Sequence, residues 1–92
     1  MVKVKRIVLD VLKPHHPDAL EFSSRIATLG TDYRVKLTVL EMDENTQTLK
    51  IVVEAGDVDF SGIQDVITQM GASLHSIEEV EVVSAMEADS LA

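Results

Sequence analysis

Ninety-two residues, 46% hydrophobic and 26% charged, suffice for one small globular domain and exclude a disordered chain. Sixteen acidic against eight basic residues give a net charge of −8, which a phosphate backbone would repel, so nucleic acid is not an expected partner. The absence of cysteine removes disulfides, thiolate metal sites and thiol nucleophiles together, and fits a cytoplasmic protein.

The opening MVKVKRIVLDVLK is basic and then apolar, like a signal peptide. Asp10 interrupts the apolar part and no small-residue cleavage site follows, so the stretch reads as a strand. Its alternation puts Ile7, Leu9 and Val11 on one face and Arg6, Val8, Asp10 and Leu12 on the other, and Pro14 ends it. No apolar run approaches the roughly 20 residues of a membrane span. From Asp18 the period changes: Ala19, Phe22, Ile26 and Leu29 make a helical stripe, with Pro17 in the first turn and Gly30 as C-cap. YRVKLTVLEM alternates again with Val35, Leu37 and Val39 inward, and TLKIVVEA returns with Leu49, Ile51 and Val53 inward after the turn-forming DENTQ. Asp59 caps a second helix carrying Ile63, Val66, Ile67 and Met70, closed by Gly71, and a last strand runs over 73–83. In that strand Leu74, Val80 and Val82 share one phase and Ile77 and Val83 the other, a conflict that a bulge near Glu78 resolves.

The order is strand, helix, strand, strand, helix, strand. At an offset of 41 residues, Phe22, Ile26, Leu29 and Gly30 echo Ile63, Ile67, Met70 and Gly71. Two split βαβ units predict an α+β fold, the ferredoxin-like βαββαβ sandwich. Its four-stranded antiparallel sheet has order 4-1-3-2, with both helices on one face. The domain spans 1–84, and 85–92 form an acidic, flexible C-terminal tail. On the other face of the sheet, Val8, Leu12, Leu40 and Val52 mix with charged residues, which predicts burial against another subunit.

This topology gathers the chemistry at one end of the sheet: His15 and His16, His75, and the hairpin acids Glu41, Asp43 and Glu44. Imidazole with carboxylate suits zinc, whereas carboxylates with carbonyls suit calcium or magnesium. The expected cation ligands are Asp43, Glu44 and Glu79, with calcium or magnesium preferred to zinc. His75 and Ser76 are further ligand or structural candidates. Against the metal reading, no HxxxH spacing is present, and HSIEEVE is also what a charge-guarded edge strand looks like. LKPHHPD reads as a rigid corner between two prolines. His16, which precedes Pro17, is held extended, so the two imidazoles point apart. One of the two is expected inward as a hydrogen-bonding group and the other in solvent. AGDVDFSGI lacks the spacings of a P-loop or an EF-hand, and no serine sits in a visible triad, so no enzymatic activity is expected.

LKPHHPD, VLEMDENTQTLKIVVEA, DVDFSGI and GASLHSIEEV together resemble an archaeal domain-of-unknown-function family, number 211, over nearly the whole chain. The resemblance implies a ferredoxin-like fold, assembly of small subunits into ring-like oligomers, and no established activity. The positions it carries over are Lys13, Pro14 and His15, then Glu41, Asp43 and Thr46, then His75, Ser76, Glu79 and Val80. His16 stands where members of the family often carry an acid, so the resemblance, resting on His15, implies that His15 takes the inward role and His16 the solvent-exposed one. The reading is therefore a cytoplasmic, non-enzymatic homo-oligomer that takes a divalent cation or small ligand at subunit contacts. Two rivals share the topology: a ligand-sensing regulatory domain of amino-acid-binding type, and an acylphosphatase-like enzyme. The second wants a phosphate-cradling loop with an arginine after the first strand, and KPHHPD offers two prolines and no glycine.

Overall fold

A computed structural model of the protein describes residues 1–84, so the tail expected at 85–92 lies outside the described residues. The elements are β1 (Val2–Pro14), α1 (Ala19–Ala27), β2 (Arg34–Met42), β3 (Thr46–Glu54), α2 (Phe60–Gln69) and β4 (Ser73–Ser84). The strands form one antiparallel sheet of order β2-β3-β1-β4, the expected order counted from its other edge. No helix among the described residues is long and apolar enough to cross a membrane.

Alternation decides which side chains meet. Ile7, Leu9 and Val11 of β1 and Leu49, Ile51 and Val53 of β3 turn to one side of the sheet. There they join Phe22 and Ile26 of α1 and Ile63 and Ile67 of α2 in a single aliphatic core. Both helices therefore lie on that face. Val58, which precedes the cap of α2, is also buried in the core. It stands five residues before Ile63, the pairing that fixes how a chain enters a helix. Its amide donates to the Val4 carbonyl at 2.8 Å.

Three irregularities interrupt the pairing of β1 with β4. Val4 faces Val82 and Arg6 faces Glu81, so Lys5 is an extra residue in β1, and Val4 turns to the core side. Opposite Val8 and Leu9 stand Glu79 and Ile77, which leaves Glu78 as the expected bulge. Opposite Asp10 and Val11 stand Ser76 and Leu74, so His75 is a second bulged residue in β4.

The helix ends follow their residues. Asp18 caps α1 by accepting from the Glu21 amide at 2.8 Å, and Asp59 caps α2 through the Gly62 amide at 3.0 Å. Pro17 precedes the cap rather than opening the first turn, and its bond to His16 is cis. Helix α2 closes with the Gly71 amide on the Thr68 carbonyl and the Ala72 amide on the Ile67 carbonyl, a Schellman closure with Gly71 at φ 79°. Gly30 does not play that part in α1, whose C-cap is Thr28. A Cβ at Gly30 would stand 2.7 Å from the Tyr33 ring, so the glycine clears space for an aromatic side chain.

The outer face corrects one expectation. Val8 and Val52 are only 5% and 9% exposed, at hollows that Arg6, Lys50, Glu54 and Glu79 also line, where long side chains can lay their aliphatic stems over neighbours. They therefore offer little apolar area of their own to a contact. Leu40 is exposed as expected, and apart from Met1, Val2 and Leu20 the exposed large apolar side chains lie on the two edge strands: Val39, Leu40 and Met42 in β2, and Ile77, Val80 and Val82 in β4. In β4 that row pairs with Leu9, Ile7 and Val4 and so shares the helix side. Ten helical residues span about 15 Å and twelve extended residues about 40 Å, so α2 is too short to cover it.

Gly71→Ala should cost about 1–2 kcal/mol, since its Cβ would make only an ordinary contact with Pro14 Cγ at 3.9 Å and the left-handed backbone is what is strained. Gly71→Asn should cost less. Urea midpoints at unchanged slope would register both.

Candidate functional site

The corner after β1 is organised by a buried cation. Lys13 belongs to the core side of β1 and is fully buried. Its Nζ donates to the carbonyl oxygens of Pro14 at 2.7 Å and Pro17 at 2.5 Å, and more weakly to that of His15 at 3.4 Å. It also lies 6.0 Å from the centre of the Phe22 ring in α1. A corner holding two prolines is short of N–H donors while its carbonyls still need partners, and one ammonium supplies three N–H groups. Burial pushes the Lys13 pKa below its ordinary value, and the charge of Asp18 opposes that shift.

This corner is fastened to the β2–β3 hairpin. Pro14 pairs with Thr46 and Lys13 with Gln47, and His15 Nε2 lies 2.9 Å from the Asp43 carbonyl oxygen. That distance makes Nε2–H the donor. The Asp43 amide in turn donates to the Thr46 carbonyl at 2.8 Å and closes the hairpin. His15 is half-buried, and His16 is exposed beside it. The two imidazoles serve different surroundings.

The carboxylates divide into two groups. Glu41, Asp43 and Glu44 are exposed at the hairpin. Glu79 lies opposite Val8, six residues back along β1 from Pro14, or about 20 Å at strand spacing. It accepts from Arg6 Nε at 2.6 Å, while another nitrogen of the same guanidinium reaches Glu54 at 3.2 Å. These hydrogen bonds, Glu79 before Glu54, raise the Arg6 pKa, so the guanidinium that links β3, β1 and β4 stays charged. One chain therefore does not bring Asp43, Glu44 and Glu79 together. Among the described residues no three His, Asp or Glu side chains form a group that could hold a metal ion.

His75 and Glu78, the bulged residues of β4, are exposed on the free edge, and Glu78 accepts from the Ser76 hydroxyl at 2.7 Å. Bulges re-aim side chains and often border functional surfaces. Sequence reasoning found His75 and Ser76 but missed Lys13 as a buried group and Arg6 as the partner of Glu79. The one sequence sign for Lys13 was its phase, which matches Ile7, Leu9 and Val11.

The residues joined at the corner, Lys13-Pro14-His15 with Asp43 and Thr46, are among those on which the resemblance rested. The sequence profile of DUF211, described as uncharacterized ArCR, matches residues 5–88. The chain belongs to the DUF211 family. An uncharacterized protein of Methanocaldococcus jannaschii is 39% identical over 77 residues, covering 84% of this chain and 79% of that protein. Its name assigns no activity to this DUF211 chain.

Lys13→Met keeps the aliphatic stem but strands the corner carbonyls, and should cost at least about 2 kcal/mol in chemical denaturation. His15→Ala should cost about 1 kcal/mol through the loss of the hairpin contact. His16→Ala should stay within about 0.5 kcal/mol. Equal costs for the two histidines would refute the division of roles.

Proposed function

We propose that this DUF211 chain is a non-enzymatic cytoplasmic subunit that assembles with copies of itself and takes a divalent cation or small ligand at the contacts. The observation that carries the reading is the apolar row Ile77, Val80 and Val82, about half exposed on an unpaired edge strand. Soluble domains guard such edges or use them. The opposite edge, β2, carries a second apolar stretch with Leu40 and Met42 about 60% exposed. The two patches differ, so a contact between them is head-to-tail, the kind that repeats into a ring when its rotation closes. Strand directions allow it. Every neighbouring pair in the sheet is antiparallel, which makes β4 antiparallel to β2, and a neighbour's β2 would extend the sheet beside β4 without breaking its alternation.

That arrangement suggests where a cation belongs. The hairpin after β2 and the start of β4 lie at the same end of the sheet, so Glu41, Asp43 and Glu44 of one copy would adjoin His75 and Ser76 of the next. Carboxylates of one chain then meet the imidazole and hydroxyl of another, a donor set that one chain lacks. The strand and sheet order supports the ferredoxin-like architecture for the subunit. The corner speaks against the acylphosphatase alternative: a phosphate cradle turns N–H groups inward, and here carbonyls turn inward onto Lys13.

Ile77→Lys with Val80→Lys should disperse the assembly to monomers in light scattering, because unpaired charge is costly to bury. A monomer for the unaltered protein at micromolar concentration ends the proposal. In chelator-stripped protein, calcium or magnesium should raise the melting temperature, and Asp43→Asn should remove that rise.

A further inference from the structure

Half of the basic residues of this acidic chain line one hollow. Arg6, Arg34, Lys36 and Lys50 stand around a concavity of about 380 Å³ on the outer face over β2 and β3, floored by Val52 and bordered by Thr38 and Glu54. Arg6 is engaged by Glu54 and Glu79. Arg34, Lys36 and Lys50 have no carboxylate partner among the described residues.

The register explains why the three cations converge. Arg34 and Lys36 are two apart on β2 and point the same way, with centres about 7 Å apart. Lys36 pairs with Val52 and Thr38 with Lys50, so Lys36 and Lys50 are diagonal neighbours at roughly 7–8 Å. Like charges at that spacing repel, and a chain with twice as many acids as bases leaves them facing each other. An anion with two or more charged groups would remove that repulsion, and the Thr38 hydroxyl beside Lys50 adds a donor. A long polyanion fits less well. Asp10, Glu78 and Glu79 border the adjoining groove, and the whole chain is negative.

We propose that this face binds a small multivalent anion bearing phosphate or carboxylate groups, held by Arg34, Lys36 and Lys50. The site lies on the outer face over β2 and β3, on the other side of the sheet from the apolar row of β4, and needs neither a residue of a second copy nor a cation.

The test uses the full-length, isotope-labelled protein, stripped of divalent ions, at low and constant ionic strength. Inorganic pyrophosphate and citrate are titrated separately while amide shifts and melting temperature are followed. Saturable shifts centred on Lys36, Thr38, Lys50 and Val52 are expected, with a rise in melting temperature. The double variant Lys36→Gln, Lys50→Gln, changed at exposed positions, should weaken binding by at least tenfold, roughly the loss of one good charged contact. Arg25→Gln on α1 should leave it unchanged. Binding of one anion alone supports the site and identifies its chemical group. No saturable shift with either anion, or equal affinity in the double variant, overturns the proposal.

Discussion

The end of the molecule that carries its chemistry depends on a lysine with nowhere to expose its charge. Lys13 is placed on the core side by strand phase, and its ammonium meets carbonyls that the proline corner turns inward. Burying an ammonium without partners would be prohibitive, and burying those carbonyls without donors would also cost stability. Together each solves the other's problem. The corner thus has one compact shape, which brings Asp18 to the start of α1 and His15 over the hairpin. The bond from His15 to the Asp43 carbonyl transmits that order to the loop that presents Glu41, Asp43 and Glu44. The hairpin acids hold their place because of a cation they do not touch.

Much of this was readable in the residues. Periods of two and of about 3.6 separated strands from helices, the phase conflict in HSIEEVEVV located the bulge at Glu78, and Asp59 and Gly71 marked the ends of α2. What escaped notice depended on partners distant in sequence. Lysine reads as polar, so the burial of Lys13 was hidden until the carbonyls of a non-repeating corner were placed. Glu79 looked available until the register set it two residues from Arg6 across β1 and β4. Val8 and Val52 looked exposed because alternation assigns a face but not the reach of the side chains beside it. Gly30 had the right place for a helix cap and a different reason to be glycine.

The mismatch between α2 and β4 bears most directly on the assembly proposed above. A crossover helix need only span from the end of one strand to the start of the next, and ten residues achieve that. Strand β4 is not bound by that limit and runs for twelve, pairing with β1 as far as Val2. The apolar residues on its helix side therefore continue beyond the helix. Their alternation suits burial, and the isolated subunit has nothing to bury them. This incompleteness is a property of element lengths, and no rearrangement of side chains within one chain would remove it.

Edge strands with exposed apolar rows usually endanger a protein, because an open, flat edge can recruit further strands without end. Two features of β4 work against that outcome. Glu78, Glu79 and Glu81 keep charge along the edge, and the bulges at His75 and Glu78 increase local twist. A sheet continued through a strongly twisted strand curves as it grows, and curvature favours a closed set of subunits over an open fibre. In the assembly proposed above, Glu78 near the start of β4 would approach the hairpin acids of a neighbour, and a divalent cation would relieve their repulsion, so charges that oppose random association would make the specific one depend on an ion.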